Sequence, residues 1–330
     1  MRFSNKPVWL LTACALLLGG CAGQHSPDEK YYLVSLNIKV PYWQAAAAGM
    51  ARAAAEMHVN AELVGPDGYD PKAEQEEFRR IVKLKPSGIL VSVADANLMA
   101  PDIDAAVDAG IPVITMDSDA PLSKRLTFIG TNNYEAGLMG GRLVTKLLNG
   151  KGNVVVLTMP GQANLDERLH GYQAAFDAAP GIKIVQVVDI QGKPQLAFDT
   201  VAAMLDKEPK KVDAFVCLEA IAGKEVAEVV NRAKADKIIV AMDTDQGTLE
   251  WIQKGAIAAT VAQKPYTMAF TGLRMLDDLH HHPLSRLGAN WAEDPFARIP
   301  RSLDTGVTIV DKGSVDLFMK ARDTATSGKT

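Results

Sequence analysis

The chain has 330 residues, a formal net charge of −4 and an isoelectric point near 5.9, with no long basic run, which argues against a nucleic-acid partner. Its hydrophobic content of 48% is enough for two ordinary domains, each with its own core. With 3 cysteines the chain is not a disulfide-stapled scaffold.

The first 21 residues read as an export signal. Arg2 and Lys6 make a basic start, and the apolar run PVWLLTACALLLGG behind them is too short and wrongly flanked for a spanning helix. The stretch LGGC ending at Cys21 resembles a bacterial lipobox. That resemblance implies cleavage before Cys21, acylation of its thiol and attachment to the membrane through the lipid. Ala22 rather than Asp follows, which favours the outer membrane where a cell has two. Residues 22–30 are polar and read as a flexible tether. Cys14 belongs to the signal, so Cys217 alone of the remaining thiols lies within the fold, where it reads as a buried strand residue.

Beyond the tether, short apolar runs alternate with helical patterns, as in parallel sheets built from β-α units. Strands are expected at 31–36, 61–65, 88–93 and 112–116, and a second set at 153–159, 182–188, 214–219 and 237–242. Alanine-rich amphipathic stretches such as PDIDAAVDAG and KEVAEVVNRAKA lie between them. The two sets superimpose. VITMDSD at 113–119 and IVAMDTD at 239–245 are one strand-to-turn unit, 126 residues apart, and GILVSV falls on AFVCLE at the same offset. Nearer the start the offset is 122, which places Gly49 on Gly171 and YLVSLN on VVVLTM. A small insertion between two copies of a β-α module accounts for both offsets. A further strand is expected at 256–262, then a break at Lys264-Pro265, a helix, and a last strand at 306–311. These extra passes let the chain return between the modules. The expected first lobe is 31–132 plus 264–292, and the second is 133–263 plus 293–325.

Ligands of open α/β sheets bind outside the carboxyl ends of the strands. The first expected strand is followed there by Asn37, Lys39, Tyr42 and Trp43, and the fourth by Asp117, Ser118 and Asp119. In the second copy the corresponding turns carry Asp166, Glu167 and Arg168, then Glu219, then Asp243, Thr244 and Asp245, and the pass between modules begins at Gln263. Carboxylate, guanidinium and amide groups can each hold two adjacent hydroxyls, while aromatic faces pack on C–H patches. Such a set suits a sugar or polyol. Each side chain also has an ordinary structural use: Tyr42 and Trp43 as a helix-start staple, Asp117 and Asp243 as helix caps, Arg168 as a surface partner of Asp166 or Glu167. The second copy carries Asn164 and Leu165 where the first has Tyr42 and Trp43, so the scaffold does not itself require rings at that turn. Trp43 is the expected stacking wall.

The ordered motifs PYW, GILVS with IPVITMDSDA, FIGTNNYEAG, ERLHGYQAAF, IIVAMDTD and ATVAQKP resemble the ribose/galactose-type periplasmic sugar-binding proteins, the solute receptors of ABC importers, over residues 31 to about 325. The resemblance implies an α/β fold of two Rossmann-like lobes with parallel sheets, joined by a three-strand hinge, with the ligand cleft between them. It implies binding of a monosaccharide, a permease partner, action as a monomer and a periplasmic place. Carried over by position, the family's aromatics fall on Tyr42 and Trp43, its aspartates on Asp117 and Asp243, its arginine on Arg168 and its crossover glutamine on Gln263. The chain departs from ribose binders at Ser118, where they carry Arg, and at Glu219 and Val40, where they carry Asn. No aromatic stands near Gly192 or Lys193, so ribose is not the expected ligand. Lys39 is placed to supply a missing polar contact.

No hydrolase elbow, metalloprotease motif, nucleotide loop or Cys-x-x-Cys is present, and no enzymatic activity, cofactor or metal is expected. DTDQG at 243–247 lacks the glycine spacing and the final Glu of a calcium loop, and the His triplet at 280–282 reads as a solvated helix end before Pro283. A sensor component presenting a sugar-like signal to a membrane receptor is the alternative to an importer subunit.

Overall fold

The computed structural model describes residues 25–284 and 294–326. The export signal, Cys21 and the first tether residues lie outside these, as does the expected lobe boundary at 292 and 293.

The first five strands and three helices run β1 (Lys30–Val34), α1 (Pro41–Met57), β2 (Asn60–Val64), α2 (Pro71–Lys83), β3 (Gly88–Val91), α3 (Ala96–Asp108), β4 (Val113–Met116) and β5 (Thr127–Gly130). The chain then crosses into a second unit: α4 (Asn133–Leu147), β6 (Gly152–Thr158), α5 (Ala163–Asp177), β7 (Ile182–Asp189), α6 (Pro194–Lys207), β8 (Ala214–Cys217), α7 (Ala222–Arg232), β9 (Ile238–Met242), α8 (Gln246–Lys254) and β10 (Ala259–Ala262). Helix α9 (Pro265–His281) and strand β11 (Ser302–Asp304) return to the first unit, and β12 (Thr308–Asp311) and α10 (Val315–Thr326) end in the second.

Each unit is an α/β lobe around a six-stranded sheet. The orders are β11-β5-β4-β3-β1-β2 and β12-β10-β9-β8-β6-β7, the same winding twice. All pairings are parallel except β10 with β12. Helices cover both faces, which is why the central strands read as unbroken apolar runs: GILV, VITM, AFVC and ATVA are buried at every position. Several helix starts are set by short polar side chains. Asp70 accepts from the N–H groups of Lys72 and Ala73, Asp95 from that of Leu98, and Asp245 from those of Gly247 and Thr248.

The repeat is visible in the packing. A Cβ on Gly49 of α1 would stand 2.1 Å from the Tyr266 carbonyl oxygen of α9, and one on Gly171 of α5 would stand 2.1 Å from the Tyr134 carbonyl oxygen of α4. Only glycine allows these backbones to come so close.

Four features differ from the expectation. Strand β5 is four residues long and ends in glycine, too short to register as a periodic run. Strand β11 is three residues long with both ends exposed, so it carries no apolar signal. It pairs with β5 in the first sheet, so the final return to the second lobe follows Asp304 rather than starting at 293. Residues 25–29 are not tether: the Asn60 side-chain amide donates to the Pro27 carbonyl, Glu29 accepts from the Ser26 N–H at 2.7 Å, and Glu29 is buried. Pro27 is held by Asn60, His25 by Asp277 and Glu29 by His281, and these contacts with the first lobe hold the segment down.

Candidate functional site

The carboxyl ends of both sheets face a cavity of about 1100 Å³ between the lobes, slightly above the usual range for small-molecule pockets. Two matching turns place its aspartates. Asp117 follows β4 with φ of 68°, and Asp243 follows β9 with φ of 65°, a left-handed conformation that Asp tolerates better than most residues. Each turn is pinned to the neighbouring strand. The Asp117 N–H donates to the Ile129 carbonyl at 3.0 Å, and the Asp243 N–H to the Val261 carbonyl at 2.9 Å. The Thr260 hydroxyl donates to the Asp243 carbonyl at 2.7 Å, fixing the second turn further. Neither aspartate caps a helix; that use in the second lobe falls to Asp245.

On the first-lobe wall, the Tyr42 hydroxyl donates to Asp117 Oδ1 at 2.5 Å, and the Ser92 hydroxyl reaches Asp117 Oδ2 at 3.5 Å. Tyr42 and Trp43 stand edge to face with ring centroids 5.0 Å apart, at the first turn of α1, which Pro41 starts. Both rings border the cavity. Trp43, however, is 8% exposed and packs into the first-lobe core, whereas Tyr42 is half-buried. The expected stacking wall is therefore a core residue with one edge on the cleft, and Tyr42 presents more of itself.

The second-lobe wall is charged. Arg168, 2% exposed, donates through Nε and Nη2 to Asn133 Oδ1 at 3.2 and 2.6 Å, and through Nη1 to the Leu218 carbonyl. It does not pair with Asp166 or Glu167. Asp166 instead accepts from the Gly161 N–H. Glu219 Oε2 accepts from the Ile221 N–H at 2.8 Å. Gln263, at the pass between lobes, donates through Nε2 to both Asp243 oxygens at 3.1 and 3.3 Å. Across the cleft mouth the Gln162 amide donates to the Tyr69 hydroxyl at 3.2 Å, linking the lobes.

Burial dominates the electrostatics. It pushes the Glu219 carboxyl up to about 7, with the Ile221 N–H and Arg168 opposing and the Asp243 charge assisting. It pushes Asp243 up to about 6, against the pull of Arg168 and Gln263. Asp117 is also raised by burial, but its Tyr42 hydrogen bond, Arg168 and Ser92 restrain it. Burial and the neighbouring carboxylates lift the Tyr42 phenol well above its ordinary value, so it stays a donor.

Seven of the eight expected contact residues thus border one cavity: Tyr42, Trp43, Asp117, Arg168, Glu219, Asp243 and Gln263. Lys39 does not. Its side chain is 74% exposed and donates to Asp67 Oδ2 at 2.5 Å, because an ammonium keeps its hydration and a surface carboxylate there. Asn133 and Ser92 were missed. Asn133 opens α4 and is buried, and its contact with Arg168 spans 35 residues of sequence, so local pattern cannot announce it. Ser92 stands at the end of an expected strand, and its short polar side chain was the available signal.

Residues 31–281 match the profile described as "Periplasmic binding protein domain". The chain belongs to that family. Among solved structures, this family member resembles the arabinose-binding protein AraP of Geobacillus stearothermophilus at 33% identity and a TM-score of 0.77, over 88% of this chain and 99% of that one. A solute-binding protein of Burkholderia graminis, solved in complex with D-arabinose, aligns at 26% identity with a TM-score of 0.79, over 88% of this chain and 97% of that one. Among curated relatives, the ribose import binding protein of Bacillus subtilis is 22% identical over 293 residues, 83% of this chain and 90% of its own length. The resemblance to ribose/galactose-type periplasmic binding proteins is thereby established, with the two-lobed α/β fold it implied.

Proposed function

We propose that this periplasmic binding protein is the solute receptor of an ABC importer and captures a monosaccharide or related polyol in the cleft between its lobes. The observation that carries the reading is the cleft's pair of unlike walls. One presents Tyr42, an edge of Trp43 and Asp117; the other presents Arg168, Glu219, Asp243 and Gln263. A sugar seated between them offers C–H faces to the rings and hydroxyls to the planar polar groups, and hinged closure of the lobes over it completes the contacts. Relatives named for ribose import, D-allose binding and D-apiose import support the ligand class. The import named for the ribose and D-apiose relatives favours transport over the sensor alternative.

The family places the protein in the periplasm or envelope. Attachment through acylated Cys21, a permease partner that reads the closed form, and action as a monomer complete the proposal. Among the described residues, no helix is long and apolar enough to cross a membrane.

Isothermal titration against a panel of pentoses, hexoses and their polyols tests the reading. At least one should bind with 1:1 stoichiometry, and Asp243→Asn should abolish the heat while the protein stays folded. Folded protein that binds no member, or an Asp243→Asn variant that binds as well as the original, overturns the assignment.

A further inference from the structure

A second group of polar side chains lies in the first lobe, where residues 25–29 meet the C-terminal end of α9. His25 Nε2 is 2.8 Å from Asp277 Oδ2. His281 Nε2 is 3.1 Å from Glu29 Oε2 and 3.6 Å from Asp277 Oδ1. The ligand-type atoms of His25, Asp277 and His281 all lie within 4.8 Å of one another. Asp277 and His281 are one helical turn apart on α9, so both side chains reach the same point, and the incoming chain adds His25 and Glu29 from the other side.

We propose that His25, His281 and Asp277 form a site for a divalent transition metal of the zinc class, with the Glu29 carboxylate standing beside His281. Three observations converge on it. The first is spacing: ligand atoms on a tetrahedral ion with bonds of about 2.0 Å are roughly 3.3 Å apart, between the shortest and longest contacts seen here. The second is charge. The Asp277 and Glu29 side chains are each 10% exposed, and their ion-pair partners among the described residues are imidazoles, with no Lys or Arg. Two nearly buried carboxylates so placed are well matched by a cation, and the partial negative charge at the end of α9 adds to the attraction. The third is an anchoring hydroxyl: the buried Tyr31 phenol, 3.1 Å from Asp277 Oδ1 and 3.4 Å from Glu29 Oε2, shares its one proton between the two carboxylates and ties them together, leaving Asp277 Oδ2 to His25.

The donor set selects the class. Two imidazoles with a carboxylate suit zinc, copper or nickel, whereas calcium and magnesium take oxygen throughout. His25 and His281 side chains are 28% and 19% exposed, so an ion can enter from solvent and water can complete its shell. A bound ion would fasten residues 25–29 to α9, four residues after Cys21. This inference does not depend on the sugar cleft.

The test is a zinc titration of the tag-free, chelator-stripped full chain by calorimetry, repeated with cobalt by visible absorption. We expect one equivalent to bind, with His25→Ala and His281→Ala each weakening it at least tenfold and His280→Ala and His282→Ala leaving it unchanged. The wild type, but not His25→Ala, should also gain melting temperature when zinc is added. Should His25→Ala fold poorly, His25→Gln keeps the bulk and polarity without the imidazole and should show the same loss. Absence of zinc binding overturns the site. So does equal loss in the His280 and His282 variants, which would assign the ion to the exposed triplet, and so does unchanged binding in both the His25 and His281 variants.

Discussion

The two lobes are built alike and equipped differently. They share strand order, the left-handed aspartate turns at 117 and 243, and the glycine contacts at 49 and 171. At the position 122 residues before Arg168, the first lobe has Ala46, fully buried; at the position 122 residues after Tyr42, the second has Asn164. Trp43 and its counterpart Leu165 are both core residues, 8% and 3% exposed. The scaffold therefore dictates an apolar side chain at 43 and 165 and leaves 42 and 164, and 46 and 168, free to differ. Through those free positions a duplicated frame acquires one aromatic wall and one charged wall. The charged wall carries the larger expected effects.

The largest follows from Arg168→Met. The variant removes the guanidinium that sits among Asn133, the Leu218 carbonyl and the raised carboxyls of Glu219 and Asp243. Breaking a buried charged network in this way costs about 3 kcal/mol or more. Sugar affinity should fall more than ~100-fold in titration, since bidentate hydroxyl contacts go with it. Binding within a few-fold of wild type would show that the second lobe is not the selective one. Next come Gly49→Ala and Gly171→Ala. Each forces a methyl against a carbonyl oxygen at the same helix crossing, and overpacking of that kind costs about 1–3 kcal/mol. Urea unfolding should show similar losses in both, and tolerance of one but not the other would end the equivalence of the two crossings.

The parts of the molecule legible in sequence are those the duplication wrote twice. The paired MDSD and MDTD motifs announced both aspartate turns, and the register of strand runs announced both sheets. What stayed hidden was single-copy or non-local. Strand β11 has no apolar alternation, and its place beside β5 is fixed by a pairing 174 residues away in sequence. Lys39 shares the turn of Tyr42, but proximity in sequence says nothing about direction, and its ammonium leaves for Asp67 and water. The His triplet looked like one feature. Within α9 His280 and His281 are separated by about 100°, and it is His281 whose ring meets that of His25, from a segment that read as tether.

A middle-sized effect concerns acidity. The Glu219 carboxyl is raised from 4.5 to about 7 and Asp243 from 3.8 to about 6, chiefly by burial. The folded, ligand-free chain thus holds protons that the unfolded chain has already released between about pH 4 and 7. The stability these groups contribute is present in full below about pH 4 and is lost as pH rises through 6 to 7. Glu219→Gln removes its share of the slope. Between pH 5 and 8 the wild type should lose on the order of 1–3 kcal/mol relative to that variant in urea melts. Sugar affinity should move the other way, rising with pH over the same window, because ionised carboxylates are the better acceptors for hydroxyls. A pH slope unchanged in Glu219→Gln would assign the titration elsewhere, to Asp117 or Asp243.

The smallest effect tests the aromatic wall. Tyr42→Phe keeps the ring for stacking and removes only the hydroxyl that donates to Asp117 Oδ1. Asp117 then relies on Arg168 and the longer Ser92 contact, so its carboxyl should rise further than burial already lifts it. Loss of one hydrogen bond to a charged acceptor costs about 1.5 kcal/mol, which corresponds to roughly tenfold in affinity if the sugar needs Asp117 ionised. The loss should be greatest at low pH and shrink as rising pH ionises Asp117 without help. Ser92→Ala, acting through a 3.5 Å contact, should cost less. If Tyr42→Phe instead weakens binding equally at every pH, the hydroxyl touches the sugar directly. The first-lobe wall would then contribute a polar contact of its own, in addition to positioning its aspartate.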